Sequence, residues 1–454
     1  FIHLITNGDD LLIRLVDLFM LAGIASATAY SMRSHGWIAG SIAGSLFVLM
    51  ILGLGPSNTL QRETICILLL AMTAGLSMGF VKQTKMPLVI IGLCGLLAGI
   101  ATTIKPPIAL LWLPLTYVIA RRQIPVDGAT QVELGKSIFS AALPFMVGGF
   151  SAGIVTLIWL SWNGALSLYF EIAREYYPLY VELNGLAQVV EPTASNQIDR
   201  LLIMPFRNLQ SALLLVPAFL GFYTAVRSKD TRLVQDAWVM VGITFFGLVY
   251  LTVSGKFWEY HTIPLLYGLS IGSGLLFSDR LTDTVEDRST SWIALFAIII
   301  SLPVTMLKTS ILMTITNDNF EVKFGYVDVI SDYLEKQVPR HATVMPLDVT
   351  GGAIHAMYRD NRPLHGKFIY DFHLYHHVDT PFVKKLRSEM ISQMGPDGPD
   401  IIIQMAPLWR PSGIGTSDFP ELNRILDTHY QVIKQDKGFR ILRRRDSEPP
   451  LIEP

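Results

Sequence analysis

Between residues 11 and 309 the chain returns repeatedly to nearly uncharged apolar runs. Each is about 20 residues long, the length a helix needs to cross a hydrocarbon core about 30 Å thick. By that criterion there are about ten crossings, at 11–30, 36–54, 63–80, 86–103, 106–120, 137–160, 207–226, 236–253, 260–278 and 291–309. Lys105-Pro106-Pro107 leaves room only for a tight turn between the fourth and fifth. Barrel strands are excluded, because they would alternate in polarity instead of running apolar throughout. Composition agrees: 51% of residues are hydrophobic and 16% charged, against roughly 25% charged in soluble domains. With 36 Lys+Arg against 37 Asp+Glu, the net charge of -1 gives no bulk attraction to nucleic acid. The two cysteines, Cys66 and Cys94, sit inside apolar runs and form no metal or disulfide pattern.

Orientation follows from the basic residues of the short loops, which stay in the cytoplasm. One alternating set of loops carries Arg33, Lys82, Lys85, Arg121, Arg122, Lys136, Arg227, Lys229, Arg232, Arg280 and Arg288, and is placed inside. The opposite set is longer and poorer in positive charge, so residues 1–10, the loop 161–206 and everything after 310 are expected outside. The chain opens on Phe1 without a basic segment or cleavage site, so no signal peptide is expected; an outer N-terminus then implies a further span upstream.

Two outer segments carry structure of their own. Tyr169 to Pro178, rich in aromatic and charged residues, is expected to lie as an amphipathic helix at the interface. Residues 320–446 are polar enough to form a small α/β domain. Helices are expected near 325–338, 381–394 and 419–428, with strands near 342–346 and 401–403 and a hairpin pairing 430–432 with 439–442 around Asp436-Lys437-Gly438. The Pro-rich tail 447–454 is expected to be disordered. The fold class is therefore an α-helical polytopic membrane protein with a C-terminal extracytoplasmic α/β domain.

Ionisable residues at membrane depth are expensive and mark sites. The outer face collects Asp9, Asp10, Arg62, Glu63, Lys105, Lys256, Glu259 and His261. Lys105, held between a span and two prolines, suits a lipid phosphate. Gly255-Lys256-Phe257-Trp258-Glu259-Tyr260-His261 adds a cation, a phenol and an imidazole, which can donate hydrogen bonds to phosphate oxygens, although Trp258 and Tyr260 alone are ordinary interfacial anchors. Glu63 after Arg62 also complements the dipole of the span it begins. Arg14 and Asp17, one turn apart, are expected to pair. His373, His376 and His377 lie close in sequence, but no second ligand cluster supports a metal; they are expected to be surface histidines. The chain has no phosphate loop, nucleophile elbow or zinc-protease motif.

The order of these features resembles the GT-C membrane glycosyltransferases, in particular the bacterial relatives of dolichyl-phosphate-mannose protein mannosyltransferase and lipid A aminoarabinose transferase. It rests on the Arg14-bearing first span, on Arg62-Glu63, on the Gly-rich span Gly92–Gly99 running to Ile104-Lys105-Pro106-Pro107, on Gly255-Lys256 through His261-Thr262-Ile263-Pro264, and on the outer α/β domain. The resemblance implies transfer of a sugar from a polyprenyl-phosphate carrier to an acceptor on the outer face, with no obligatory cofactor. Lys105, Lys256, His261, Tyr260, Glu63 and Arg62 would hold the lipid phosphate, and the base, an acidic residue of the first external loop, would lie upstream of Phe1. Membrane lipids, the lipid-linked sugar and an acceptor are the partners implied, with a membrane protein as a further one. A non-catalytic scaffold built on the same architecture is the competing expectation. A secondary transporter fits less well, since repeated halves and midplane charge are missing from the sequence.

Overall fold

The computed structural model describes residues 10–55, 58–79, 86–122, 124, 131–183, 209–254, 256, 258–281, 326–348, 351–394, 397–406 and 419–446. The expected span 291–309, Asp9 and the tail 447–454 lie outside the described residues. The chain divides into two compact units, one of residues 14–170 and 192–315, the other of 1–13, 171–191 and 316–454.

Helices make up the first unit: α1 Asp10–Ser31, α2 Trp37–Gly53, α3 Arg62–Gly79, α4 Leu88–Ile104, α5 Trp112–Arg122, α6 Gln131–Trp162, α7 Leu166–Glu171, which runs one residue into the other unit, then α9 Leu209–Val226, α10 Thr231–Ser254 and α11 Ile263–Leu275. Helix α8, Tyr177–Val181, belongs to the second unit. Residues 11–31, 134–162 and 231–252 are each long and apolar enough to cross a membrane. Shorter apolar helices occupy four other expected spans.

Small residues set how closely the helices pack. A Cβ on Gly95 of α4 would overlap the carbonyl of Phe145 in α6, and one on Gly148 would overlap that of Gly92, so these backbones touch where the sequence is richest in glycine. The expected continuous span 106–120 needs correction. Pro106–Leu111 is a 3-10 helix and only Trp112–Arg122 is α-helical. Lys105 is extended, at φ -140 and ψ 95, as a residue before proline must be, and the two prolines have no N–H with which to continue α4. The two pieces still reach about 28 Å together, because the 3-10 rise per residue is the larger. Asp17 feels the opposite charge of Arg14, as expected, and its Oδ1 also accepts from the Leu60 backbone N at 2.9 Å, and so anchors the turn in which Leu60 takes a positive φ of 51.

The second unit contains α12 Val327–Gln337, β1 Val344–Leu347, α13 Ala353–Arg359, α14 Pro381–Ser392, β2 Ile401–Met405, α15 Pro420–His429, β3 Tyr430–Gln435 and β4 Phe439–Arg444. The sheet order is β1-β2-β4-β3, with β1 parallel to β2 and the other pairs antiparallel. Every residue of β1 and β2 is buried, which explains why both are apolar apart from Gln404, whose Oε1 accepts from Arg440 Nε. Alternate side chains feed two cores: Val344, Ile401, Ile403 and Ile441 pack with α12 and α13, while Met345, Leu347, Ile402 and Leu442 pack with α14 and α15. Helix α13 was not foreseen. Asp348 caps it from five residues upstream, accepting from the N–H groups of Gly351, Gly352 and Ala353 at 2.7, 3.2 and 2.9 Å, while Gly352 supplies the positive φ of 113.

Candidate functional site

Helix α3 turns one stripe toward the interior of the helical unit: Glu63, Cys66, Ile67, Leu70 and Ala74, at spacings of three and four. The stripe follows about 16 Å of helix, at 1.5 Å per residue. Helix α10 answers with Met240, Ile243, Phe246 and Tyr250, again one face. The 3-10 segment contributes Lys105, Ile108 and Leu111. That spacing of three puts them in register only because the segment is 3-10 and repeats every three residues. Between these walls lies a cleft. Its lining is apolar along the stripes and polar where Glu63, Lys105 and Tyr250 meet.

That polar end is a compact ion-pair cluster. Lys105 Nζ is 2.7 Å from Glu63 Oε1, and the Tyr250 hydroxyl donates to the same oxygen at 2.7 Å. Glu63 is 2% exposed, so it does far more than complement a helix dipole. The Lys105 ammonium also lies 5.9 Å from the centre of the Tyr250 ring. Lys105 is mostly enclosed and does not snorkel into bulk solvent: its side chain is 15% exposed.

The other expected site residues fall in different places. Arg62 is exposed on the turn before Glu63. His261 and Lys256 are buried, but neither lines the cleft. His261 is sandwiched in an aromatic cluster: it stacks on Trp258 at 5.6 Å, meets Tyr260 edge-on at 4.4 Å, and meets the Tyr250 ring at 6.1 Å. It therefore touches the back of the ring whose hydroxyl holds Glu63. Asn58 ties this turn down, donating to Glu259 Oε2 at 3.3 Å and to Leu54 O at 2.9 Å. Tyr250 went unnoticed in the sequence because an aromatic residue in an apolar span gives no sign of a partner 187 positions away. Both cysteines are buried with their Sγ atoms toward backbone carbonyls, Cys66 toward Ala101 at 3.5 Å and Cys94 toward Thr73 at 3.8 Å.

His373, His376 and His377 are enclosed rather than at the surface. The Tyr176 hydroxyl sits between His373 Nδ1 at 3.0 Å and His376 Nε2 at 3.1 Å, and His376 is buried. His377 Nε2 lies 3.1 Å from the carbonyl of Leu179. Among the described residues no group of three or more His, Cys, Asp or Glu is placed to hold a metal. The expected single amphipathic helix around Tyr176 is instead broken: Leu166–Glu171 is α-helical, Ile172–Tyr176 is a π turn, and Tyr177–Val181 resumes. The extra residue per turn directs Tyr176 at the two imidazoles. Burial lowers the pKa of His373 and raises that of Tyr176, so both are neutral at pH 7.

Among its described residues the chain combines three helices long and apolar enough to cross a membrane with an apolar cleft and a buried charge pair at the cleft's polar end. Its likeness to ArnT from Cupriavidus metallidurans, solved bound to undecaprenyl phosphate, has a TM-score of 0.51 at 11% identity, over 95% of this chain and 83% of that one. The apo state of the same protein aligns with a TM-score of 0.50 at 12% identity over the same shares. At such identity the likeness is one of fold. No family model matches the chain, and no curated protein matches it in sequence.

Proposed function

We propose that the protein is an integral membrane glycosyltransferase that moves a sugar from a polyprenyl-phosphate carrier to an acceptor on the outer face of a bacterial inner membrane. The observation that carries this reading is the cleft: a long apolar trough ending in an enclosed ammonium matches a ligand with a hydrocarbon tail and an anionic head. The fold neighbour solved with undecaprenyl phosphate supports it from a separate direction. In this reading Lys105 engages the carrier phosphate and stabilises the charge that develops on it as the sugar leaves. His261, itself packed by Tyr260 and Trp258, braces the Tyr250 ring, and Arg62 draws the anion toward the mouth. No cofactor beyond the lipid-linked donor is required, and the sheet-bearing unit lies outside the cytoplasm.

The test is transfer from a radiolabelled lipid-linked sugar by the full chain in liposomes. Lys105→Ala removes a charge-assisted contact worth about 1.5–3 kcal/mol, so carrier engagement weakens about 10- to 100-fold. Lys105→Arg is milder, since it keeps the charge and changes the geometry. Wild-type rates in Lys105→Ala would overturn the phosphate assignment. Wild-type protein that transfers from no carrier in a panel would leave a lipid-binding scaffold.

A further inference from the structure

Glu63 has in its Oε2 a hydrogen-bond acceptor that the described residues leave open. Its Oε1 serves both Lys105 and Tyr250, while its Oε2 is buried and meets no donor among the described residues. Leaving a buried charged oxygen unpaired is costly, and native structures rarely do so without a reason. This oxygen belongs to a wall residue of the cleft, beside the ammonium that the proposed function assigns to the phosphate.

We infer that Glu63 is a specificity-determining residue of that site, selecting the glycosylated carrier over the bare polyprenyl phosphate. The inference rests on the reading of the cleft as a lipid-phosphate site. An ionised carboxylate only accepts hydrogen bonds, so its partner must bring an O–H or N–H. A sugar joined to the phosphate brings hydroxyls within one ring of the anion. A bare prenyl phosphate above pH 7 is chiefly a dianion, since its second pKa is about 6, and has no donor to offer. It also brings a second negative charge toward a carboxylate in a poorly solvated cleft, where like charges repel strongly. The phosphodiester of the glycosylated carrier bears a single charge, which Lys105 balances while Glu63 takes the hydroxyl. Repulsion and hydrogen bonding thus discriminate in the same direction. The arrangement also favours release of the spent carrier once the sugar has gone.

The experiment measures binding of undecaprenyl phosphate and of its glucosyl and arabinosyl phosphodiesters to the full chain in detergent, above pH 7. Wild type is expected to bind the two diesters about 10-fold or more tightly than the bare phosphate, the lower end of what a charged hydrogen bond is worth. Glu63→Gln is expected to bring the three within about threefold, mainly by tightening the bare phosphate, because Lys105 loses its competing anion. Wild type that binds all three within threefold would overturn the role of Glu63 and leave the lipid-phosphate reading standing, with water as the partner of Oε2. Wild type that binds none of them would overturn both. The wild-type comparison decides the matter even where Glu63→Gln fails to fold.

Discussion

Two buried polar clusters, one in each unit, solve the same problem with opposite materials. In the helical unit a carboxylate is held by an ammonium and a phenol, both at 2.7 Å, and one of its oxygens is left unfilled. In the sheet-bearing unit a phenol is held by two imidazoles at 3.0 and 3.1 Å. A hydroxyl can donate to one ring nitrogen while it accepts from the other, so this second cluster can be satisfied without any formal charge. The first cannot: it carries formal charges into a poorly solvated place and lines a cleft. Charge that is costly to bury, with one oxygen unpartnered among the described residues, marks this end of the cleft as the candidate site, whereas the neutral phenol and its imidazoles serve as an attachment. The attached segment is 171–183, which His377 and the exposed Lys385–Glu171 pair also tie down.

The difference should show first in stability. Lys105→Ala strands a buried carboxylate and is expected to destabilise the helical unit by about 3–5 kcal/mol, the usual consequence of removing one partner of a buried pair. Adding Glu63→Gln should recover much of that loss, because the stranded charge goes too. Thermal unfolding in detergent checks both. A double variant no more stable than Lys105→Ala alone would mean that Glu63 is not ionised against Lys105, and the contrast between the clusters would disappear.

Tyr176→Phe should cost less, about 1–3 kcal/mol, since it leaves two enclosed ring nitrogens without their shared partner but strands no formal charge. Its signature is local. Amide exchange across 171–183 should quicken while lipid binding at the helical cleft stays at the wild-type level. A loss of lipid binding equal to that of Lys105→Ala would show that the two clusters are not separate in function.

How far the sequence disclosed these clusters depends on where their partners lie. Helix and strand positions came through wherever periodicity ran long enough: α3, α10, β2 and the β3–β4 hairpin fall within a few residues of expectation. Lys105 was legible because charge beside two prolines at a span end violates the surrounding pattern. Tyr250 and Tyr176 were not, since a tyrosine in a span or at an interface satisfies the pattern and its partner is set by tertiary packing. The 3-10 segment was half legible: Pro106 and Pro107 announced a break in α4 but not the three-residue period that aligns Lys105, Ile108 and Leu111 along the cleft. Helix α13 escaped because its seven residues are too short to show a period and its cap comes from Asp348 rather than from the adjoining residue.

The smallest expected effect concerns pH, and within the neutral cluster and its neighbour it separates His373 from Glu171 by window. Burial holds the pKa of His373 below its ordinary value of 6.5 in the folded protein. Between the folded value and 6.5 the unfolded chain binds more protons, so stability rises with pH across that window. His373's contribution is complete above 6.5 and is lost as pH falls through the folded pKa. Protonating the ring that accepts the hydroxyl's hydrogen bond also sets two N–H donors against one hydroxyl, which loosens Tyr176. The neighbouring Glu171 acts lower: the hydrogen bond from Lys385 holds its carboxyl below the usual 4.5, so its effect fades only within the carboxylate range. Acidification from above 6.5 toward the carboxylate range should therefore speed amide exchange in 171–183 before Glu171 titrates. His373→Gln should flatten that dependence and leave the region below it unchanged. Exchange that is flat in wild type above the carboxylate range, or equally steep in His373→Gln, would show that the neutral cluster does not respond to protons, and only the charged cleft would remain sensitive to its ionisation state.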